Sequence, residues 1–267
     1  MDYCLRACCL PSIEPVIAAW RLSRALIHIL CGWWTMRWRF NNLTNEQKNH
    51  RVVTWAQELL SILNITLEVQ GHRPHSSSIL LISNHISWLD ILVIHASFFC
   101  RFISKSDVLE WPLIGYLSQS AGTLFIERSQ RKDALRVVNV MSERLKAGDV
   151  LAIFPEGTTS DGLNLLPFHS NLLQAAITSG SQVVPLALCF KDLAEDSLSV
   201  APCYIGEDTL ITSIWRTLKA PALKAVVRFG DCQSAEGRDR RVWSKDLQMD
   251  VQNLLDRAQE RQPHLLP

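Results

Sequence analysis

The sequence predicts an α/β fold, a mostly parallel sheet flanked by helices. Ahead of it lies an N-terminal amphipathic two-helix motif suited to docking on a membrane. Three observations carry this reading. Short apolar runs alternate with helical patterns along most of the chain, as in sheets covered on both faces. The 267 residues suit one large domain. The first 51 residues hold seven Lys/Arg against three Asp/Glu, and five of the nine tryptophans (Trp20, Trp33, Trp34, Trp38, Trp55) lie near that end. With 48% hydrophobic and 20% charged residues the chain is not a disordered one. A net charge of +1 carries none of the basic excess of a nucleic-acid-binding domain.

In the first predicted helix Arg21, Arg24, His28, Thr35 and Arg39 share one face, and Leu22, Leu26, Ile29 and Trp33 another. Such a helix can lie in the headgroup plane, arginine toward lipid phosphate and tryptophan at the boundary. The same pattern also serves a helix packed on the protein's own core. Asp2, Arg21 and Arg24 fit a secretory leader poorly, and the charge-free stretch from Ala25 to Met36 is short for a membrane span. Thr44-Asn45-Glu46-Gln47 reads as a capping box that starts a second helix, with Val52, Trp55, Leu59, Ile62 and Leu63 at helical spacing.

The expected α/β elements follow in order. Leu67–Gln70 and Ile79–Ser83 read as strands, Trp88–Phe98 as a helix, and Arg101–Ser104 and Thr123–Ile126 as short strands. Lys132–Lys146 is an amphipathic helix ended by Gly148. Val150–Phe154 is an apolar strand, Asn171–Ser179 a helix and Val183–Cys189 another apolar strand. Leu198–Cys203 and Ala225–Phe229 read as later strands, and Arg240–Gln262 as the terminal helix. The expected division is a helical membrane-associating segment, 1–66, and an α/β domain, 67–267. The eight cysteines include no C-x-x-C pair and read as free thiols of a reduced compartment. No set of side chains has convincing metal-ligand spacing, so no metal is expected.

Four segments at predicted strand ends carry chemistry, where open α/β sheets bind ligands. In Ser83-Asn84-His85-Ile86-Ser87-Trp88-Leu89-Asp90, a turn between strand and helix would let Asp90 point back at His85. A carboxylate on one ring nitrogen leaves the other free as a base. Ser87-x-x-Asp90 is equally a capping box, with His85 a plain strand-end residue. In Thr123–Arg128, Arg128 emerging from an apolar strand suits bidentate binding of phosphate or carboxylate, or a surface salt bridge. In Phe154-Pro155-Glu156-Gly157-Thr158, a carboxylate, a glycine and hydroxyl groups suit an oxyanion or phosphate, or an ordinary hydrophilic turn. Pro185 interrupts an apolar strand, which a bulged or edge strand explains without function.

Together, Asn-His-x-x-x-x-Asp, Phe-x-x-Arg, Phe-Pro-Glu-Gly-Thr and Val-Pro, in that order, resemble the glycerophospholipid acyltransferase family over about residues 50–230. Within it, the 1-acylglycerol-3-phosphate acyltransferases are the nearest pattern. The resemblance implies that His85 takes the proton from the free hydroxyl of a lysophospholipid and that Asp90 orients His85. The hydroxyl oxygen would then attack the thioester of acyl carrier protein or acyl-CoA directly. Arg128, Glu156, Gly157 and Thr158 would hold the acceptor, and Pro185 would shape the site. It implies no cofactor beyond the acyl donor, and a place on the cytoplasmic face of the membrane. The chemistry agrees: histidine ordinarily titrates near 6.5, and general-base assistance is worth roughly 10²–10⁴-fold. The chain also lacks a G-x-S-x-G nucleophile. One departure concerns the acceptor. Members acting on lysophosphatidate often place arginine soon after Phe-Pro-Glu-Gly-Thr, whereas this chain has Asp161. Members acting on lyso-ornithine lipid are similar in this segment, which makes that lipid the runner-up acceptor.

Overall fold

The computed structural model describes residues 15–75, 77–126 and 131–260. The strands are β1 (Ile65–Gln70), β2 (Ile79–Ser83), β3 (Arg101–Lys105), β4 (Leu124–Ile126), β5 (Val150–Ile153), β6 (Gln182–Asp192) and β7 (Leu223–Phe229). They form one sheet in the order β1-β7-β6-β2-β5-β3-β4. Every neighbouring pair is parallel except β6–β7. The helices are α1 (Pro15–Trp38), α2 (Asn45–Ile62), α3 (Leu89–Ser97), α4 (Ile114–Ser120), α5 (Arg131–Lys146), α6 (Gln174–Ser179), α7 (Leu210–Lys219) and α8 (Arg240–Gln259).

The central strand shows why both faces are covered. Ile79 and Leu81 of β2 enter one core with Leu59 and Leu60 of α2, Val93 of α3 and Leu218 of α7. Leu80 and Ile82, pointing the other way, enter a second core with Met141 and Leu145 of α5, Ala175 of α6 and Leu247 of α8. Side chains alternate across a strand, so an unbroken apolar run needs a covering layer on each side. The helix α2 begins with the expected capping box: Gln47 N donates to Thr44 Oγ1, and Thr44 N donates to Gln47 Oε1.

Several sequence expectations change. Leu198–Cys203 is not a strand. It joins the sheet's ladder through an antiparallel bridge from Lys191 to Leu198, then turns at Ala201-Pro202, where proline offers no N–H to a ladder. Two helices were not expected. The helix α4 follows Leu113, which sits at φ 63°, and α7 carries β-branched residues but is capped by Thr209. The expected helix at 171–179 begins as a 3-10 turn, Ser170–Leu173. The strand β1 begins at Ile65, two residues before the expected start of the α/β domain.

The largest correction concerns α1, where Arg21 and His28 turn inward while Arg24 and, just past the helix, Arg39 stay exposed. Arg21 is buried, and its Nη1 donates to the carbonyls of Leu218 (3.1 Å) and Ala220 (2.9 Å), capping the C-terminal end of α7. His28 stacks on Trp55 of α2, and Gly32 lies flush against the same indole. The outward face is largely apolar, with Val16, Trp20, Ile27, Trp34 and Trp38 exposed beside Arg24. As a 24-residue helix, α1 is long and apolar enough to cross a membrane by length and composition, which the short charge-free stretch understated.

Candidate active site

The chain leaves β2 at Ser83, and the next residue extends the ladder with its side chain. The buried Asn84 carboxamide donates to Leu188 O (2.9 Å) and accepts from Leu188 N (2.8 Å) in β6. Beyond that anchor the backbone turns. His85 Nδ1 lies 2.7 Å from Asp90 Oδ2. The same oxygen accepts from Ile86 N (2.6 Å) and Ser87 N (2.9 Å), and Asp90 is fully buried. Bracing and orienting are therefore one interaction: the carboxylate that holds the turn ahead of α3 also fixes the imidazole. The Asp90 hydrogen bond assigns the proton to Nδ1 and leaves Nε2 without a partner among the described residues. The ring is one-fifth exposed. It stacks on Phe154 with centroids 4.0 Å apart and 9° between planes, and Phe154 stacks in turn on Phe102. One hydrogen bond and one aromatic face together hold the plane of the imidazole.

The segment after β5 clamps the same turn. Glu156 Oε1 accepts from His85 N and Oε2 from Leu166 N, both at 2.8 Å. Ser160 N donates to His85 O at 2.8 Å. Thr159 Oγ1 donates to Tyr204 O, and Tyr204 N donates to Ile86 O. Burial pushes the Glu156 carboxyl above the ordinary range, against the pull of its two backbone donors and of nearby His85. Gly157 has φ +74°, and a Cβ there would meet the His169 ring at 3.0 Å. Glycine is needed at that position on both counts.

The expected residues thus divide. His85 and Asp90 form a pair, and Glu156 braces it. Gly157 and Thr158 lie exposed beside the turn. Glu156, expected beside the headgroup, is buried, and each of its oxygens accepts from a backbone N–H group. Pro185 is buried in β6 opposite Ile82, between the Val183–Gln233 bridge and the Leu186–Phe229 pairing. That is the bulged-strand reading; its carbonyl accepts from Gly230 N. Arg128 lies outside the described residues. Sequence reasoning overlooked Phe154 as the wall of the histidine, although it stood in the motif. It also overlooked Lys105, an exposed cation that ends β3 at the same edge of the sheet by the Phe102–Ala152 register. Among the described residues no cluster of three or more His, Cys, Asp or Glu is placed to hold a metal ion.

A histidine paired to a buried carboxylate at the C-terminal edge of a parallel sheet, with one ring nitrogen open, has the geometry that general-base chemistry requires. The chain belongs to the acyltransferase family: residues 64–189 match the family described as Acyltransferase. It is an O-acyltransferase of the glycerophospholipid group. It is similar to the 1-acyl-sn-glycerol-3-phosphate acyltransferase of Neisseria meningitidis, 36% identical over 73% of this chain and 76% of that one. It is also similar to the lyso-ornithine lipid O-acyltransferase of Pseudomonas aeruginosa, 32% identical over 83% and 85%. The crystal structure of the 1-acyl-sn-glycerophosphate acyltransferase PlsC from Thermotoga maritima has the same fold. Its TM-score is 0.66 at 18% identity, over 91% of this chain and 99% of that one.

Proposed function

We propose that the enzyme transfers a fatty acyl group from acyl carrier protein or coenzyme A to the free hydroxyl of 1-acylglycerol-3-phosphate, giving phosphatidate. The observation that carries this reading is the 2.7 Å His85–Asp90 contact with Nε2 left open. Nε2 accepts the hydroxyl proton as the oxygen attacks the thioester carbonyl and the C–O bond forms. The tetrahedral intermediate collapses, the C–S bond breaks, and the imidazolium returns the proton to the departing thiolate. Asp90 holds the productive tautomer and offsets the positive charge of the imidazolium. No covalent acyl-enzyme is needed. The exposed Gly157-Thr158 segment, Lys105 and Arg128 are the candidates for the acceptor headgroup.

A second acceptor, lyso-ornithine lipid, is favoured by one specific observation. Asp161 is exposed in the loop that clamps His85. A carboxylate there repels a phosphomonoester and attracts an ornithine amine. Offering the purified enzyme a panel of lysolipids with each donor separates the two readings. Phosphatidate is the expected product, ornithine lipid would establish the second reading, and free fatty acid without any ester would refute both.

The helix α1 supports a place at a membrane surface, and the cytoplasmic face is part of the same proposal. A face carrying Trp20, Trp34 and Trp38 to solvent is costly in water and suited to the headgroup boundary. Its opposite face is packed on α2 and α7 through Ala18, Arg21, Ala25 and Gly32. Lipid therefore reaches one side of the helix, as for a half-sunk interfacial helix and not a free span.

A further inference from the structure

A cavity of about 320 Å³ lies between the N-terminal part of α2, the turn Phe40–Asn42 and the C-terminal end of α4. Its wall includes Asn41, Asn45, Lys48, Asn49, Arg101 and Gln119. No carboxylate lines it among the described residues. The Lys48 ammonium rests over the Phe40 ring, 5.7 Å from its centroid. Neither Lys48 nor the four carboxamides makes a side-chain hydrogen bond or ion pair to another described residue. Arg101 faces them. Its Nε pairs with Asp149 (3.1 Å), a carboxylate shared with Arg144 (2.7 Å), so that side keeps an excess of one positive charge. The Arg101 guanidinium passes flush against Gly122, which has φ +86°. A Cβ on that residue would stand 2.0 Å from Nη1. Two cations and a ring of uncommitted amide donors facing one space match the several acceptor oxygens of a phosphate group.

The cavity is not the acyl-transfer centre. Arg101 begins β3, whereas His85 and Glu156 follow the ends of β2 and β5, at the opposite edge of a parallel sheet. Met36, also in the wall, belongs to the last turns of α1, where Trp34 and Trp38 are exposed.

We propose that this pocket is a second anion site that binds a phosphate group, and that its occupant is the headgroup of an anionic lipid in the surface on which α1 rests. The phosphate assignment stands on the pocket alone. The lipid source rests on the interfacial reading of α1, and the two are tested separately. Inorganic phosphate is titrated into the full-length protein, with the backbone amides of Asn49 and Gly122 followed by NMR. A saturable shift is expected, weakened about tenfold or more in Lys48→Gln and retained in Lys48→Arg. Lys48→Gln should melt close to wild type and keep its acyl transfer in detergent, because Lys48 makes no contact with His85 and only rests over the edge of the core at Phe40. No shift, or a shift that Lys48→Gln leaves unchanged, overturns the site. In the second arm, phosphatidylcholine vesicles with and without phosphatidate are added, and hydrogen exchange is read at Asn45–Asn49. Protection only with phosphatidate, lost in Lys48→Gln, supports the headgroup. Phosphate binding without such protection overturns the lipid source and assigns the pocket to free phosphate.

Discussion

Replacing Asp90 with Asn isolates the charge that the mechanism asks for. The side chain is fully buried, and its Oδ2 accepts three hydrogen bonds. The amide oxygen of asparagine can still accept from Ile86 N and Ser87 N, so the turn should survive with a stability loss of about 1–2 kcal/mol. The negative charge that offsets the imidazolium is lost. With the charge centres about 4 Å apart at an effective dielectric of about 20, the lost attraction is about 4 kcal/mol. At 1.36 kcal/mol per decade, and with part of it recovered by relaxation, kcat should fall by roughly 10²–10³-fold. The acceptor KM should change little, since Asp90 is buried beneath His85. Thiol release from the acyl donor, measured with and without lysolipid beside a melting curve, reads both quantities. A variant that melts normally and keeps kcat within about threefold of wild type would refute the role given to Asp90.

Glu156→Gln should lower stability by about 1–3 kcal/mol and slow catalysis, because the amide nitrogen faces one of two backbone donors that the carboxylate satisfied. Burial holds the folded Glu156 pKa above its unfolded value, so its contribution is largest at acid pH and falls as pH rises through that interval; the glutamine variant should lose this slope in denaturant titrations. His95 behaves oppositely. Burial pushes it down to about 4, so the folded protein resists its protonation and about 3 kcal/mol should be lost as pH falls from about 6.5 toward 4. His95→Leu should flatten that acid limb in urea midpoints measured across the range; an unchanged limb would place the acid sensitivity elsewhere. Ile27→Glu with Trp34→Glu, on the outward face of α1, should release the enzyme from vesicles in flotation assays, whereas Arg21→Glu should unfold the α1–α7 contact and lower the melting temperature.

The parts of this account that were legible in the sequence are those written in local pattern. Ile79–Ile82 is apolar at every position and becomes the body of the doubly covered central strand. Thr44 and Gln47 have the spacing of a capping box and make one. The His85–Asp90 pair is also local, because five residues and one turn suffice to bring the groups together. What depends on distant partners was not legible. Arg21 reads as a lipid-facing cation until the carbonyls at the end of α7, about 200 positions away, accept its hydrogen bonds. Glu156 reads as a free carboxylate until the backbone of His85 and Leu166 fills it. Leu198–Cys203 has the composition of a strand, but Pro202 and a turn deny it a ladder. The aromatic wall behind His85 joins Phe102 of β3 and Phe154, the residue after β5, which only the parallel register brings together.

The most direct test of the central claim is a single-turnover comparison of wild type and His85→Ala on vesicles carrying lysolipid, with a labelled acyl thioester as donor. The wild-type enzyme should form one ester for each thiol released, with no free fatty acid. His85→Ala should remain folded and vesicle-bound, because the ring is partly exposed and Asp90 still accepts from Ile86 N and Ser87 N, yet form no ester above the uncatalysed rate. Ester formation by His85→Ala at a rate near that of wild type would contradict the account.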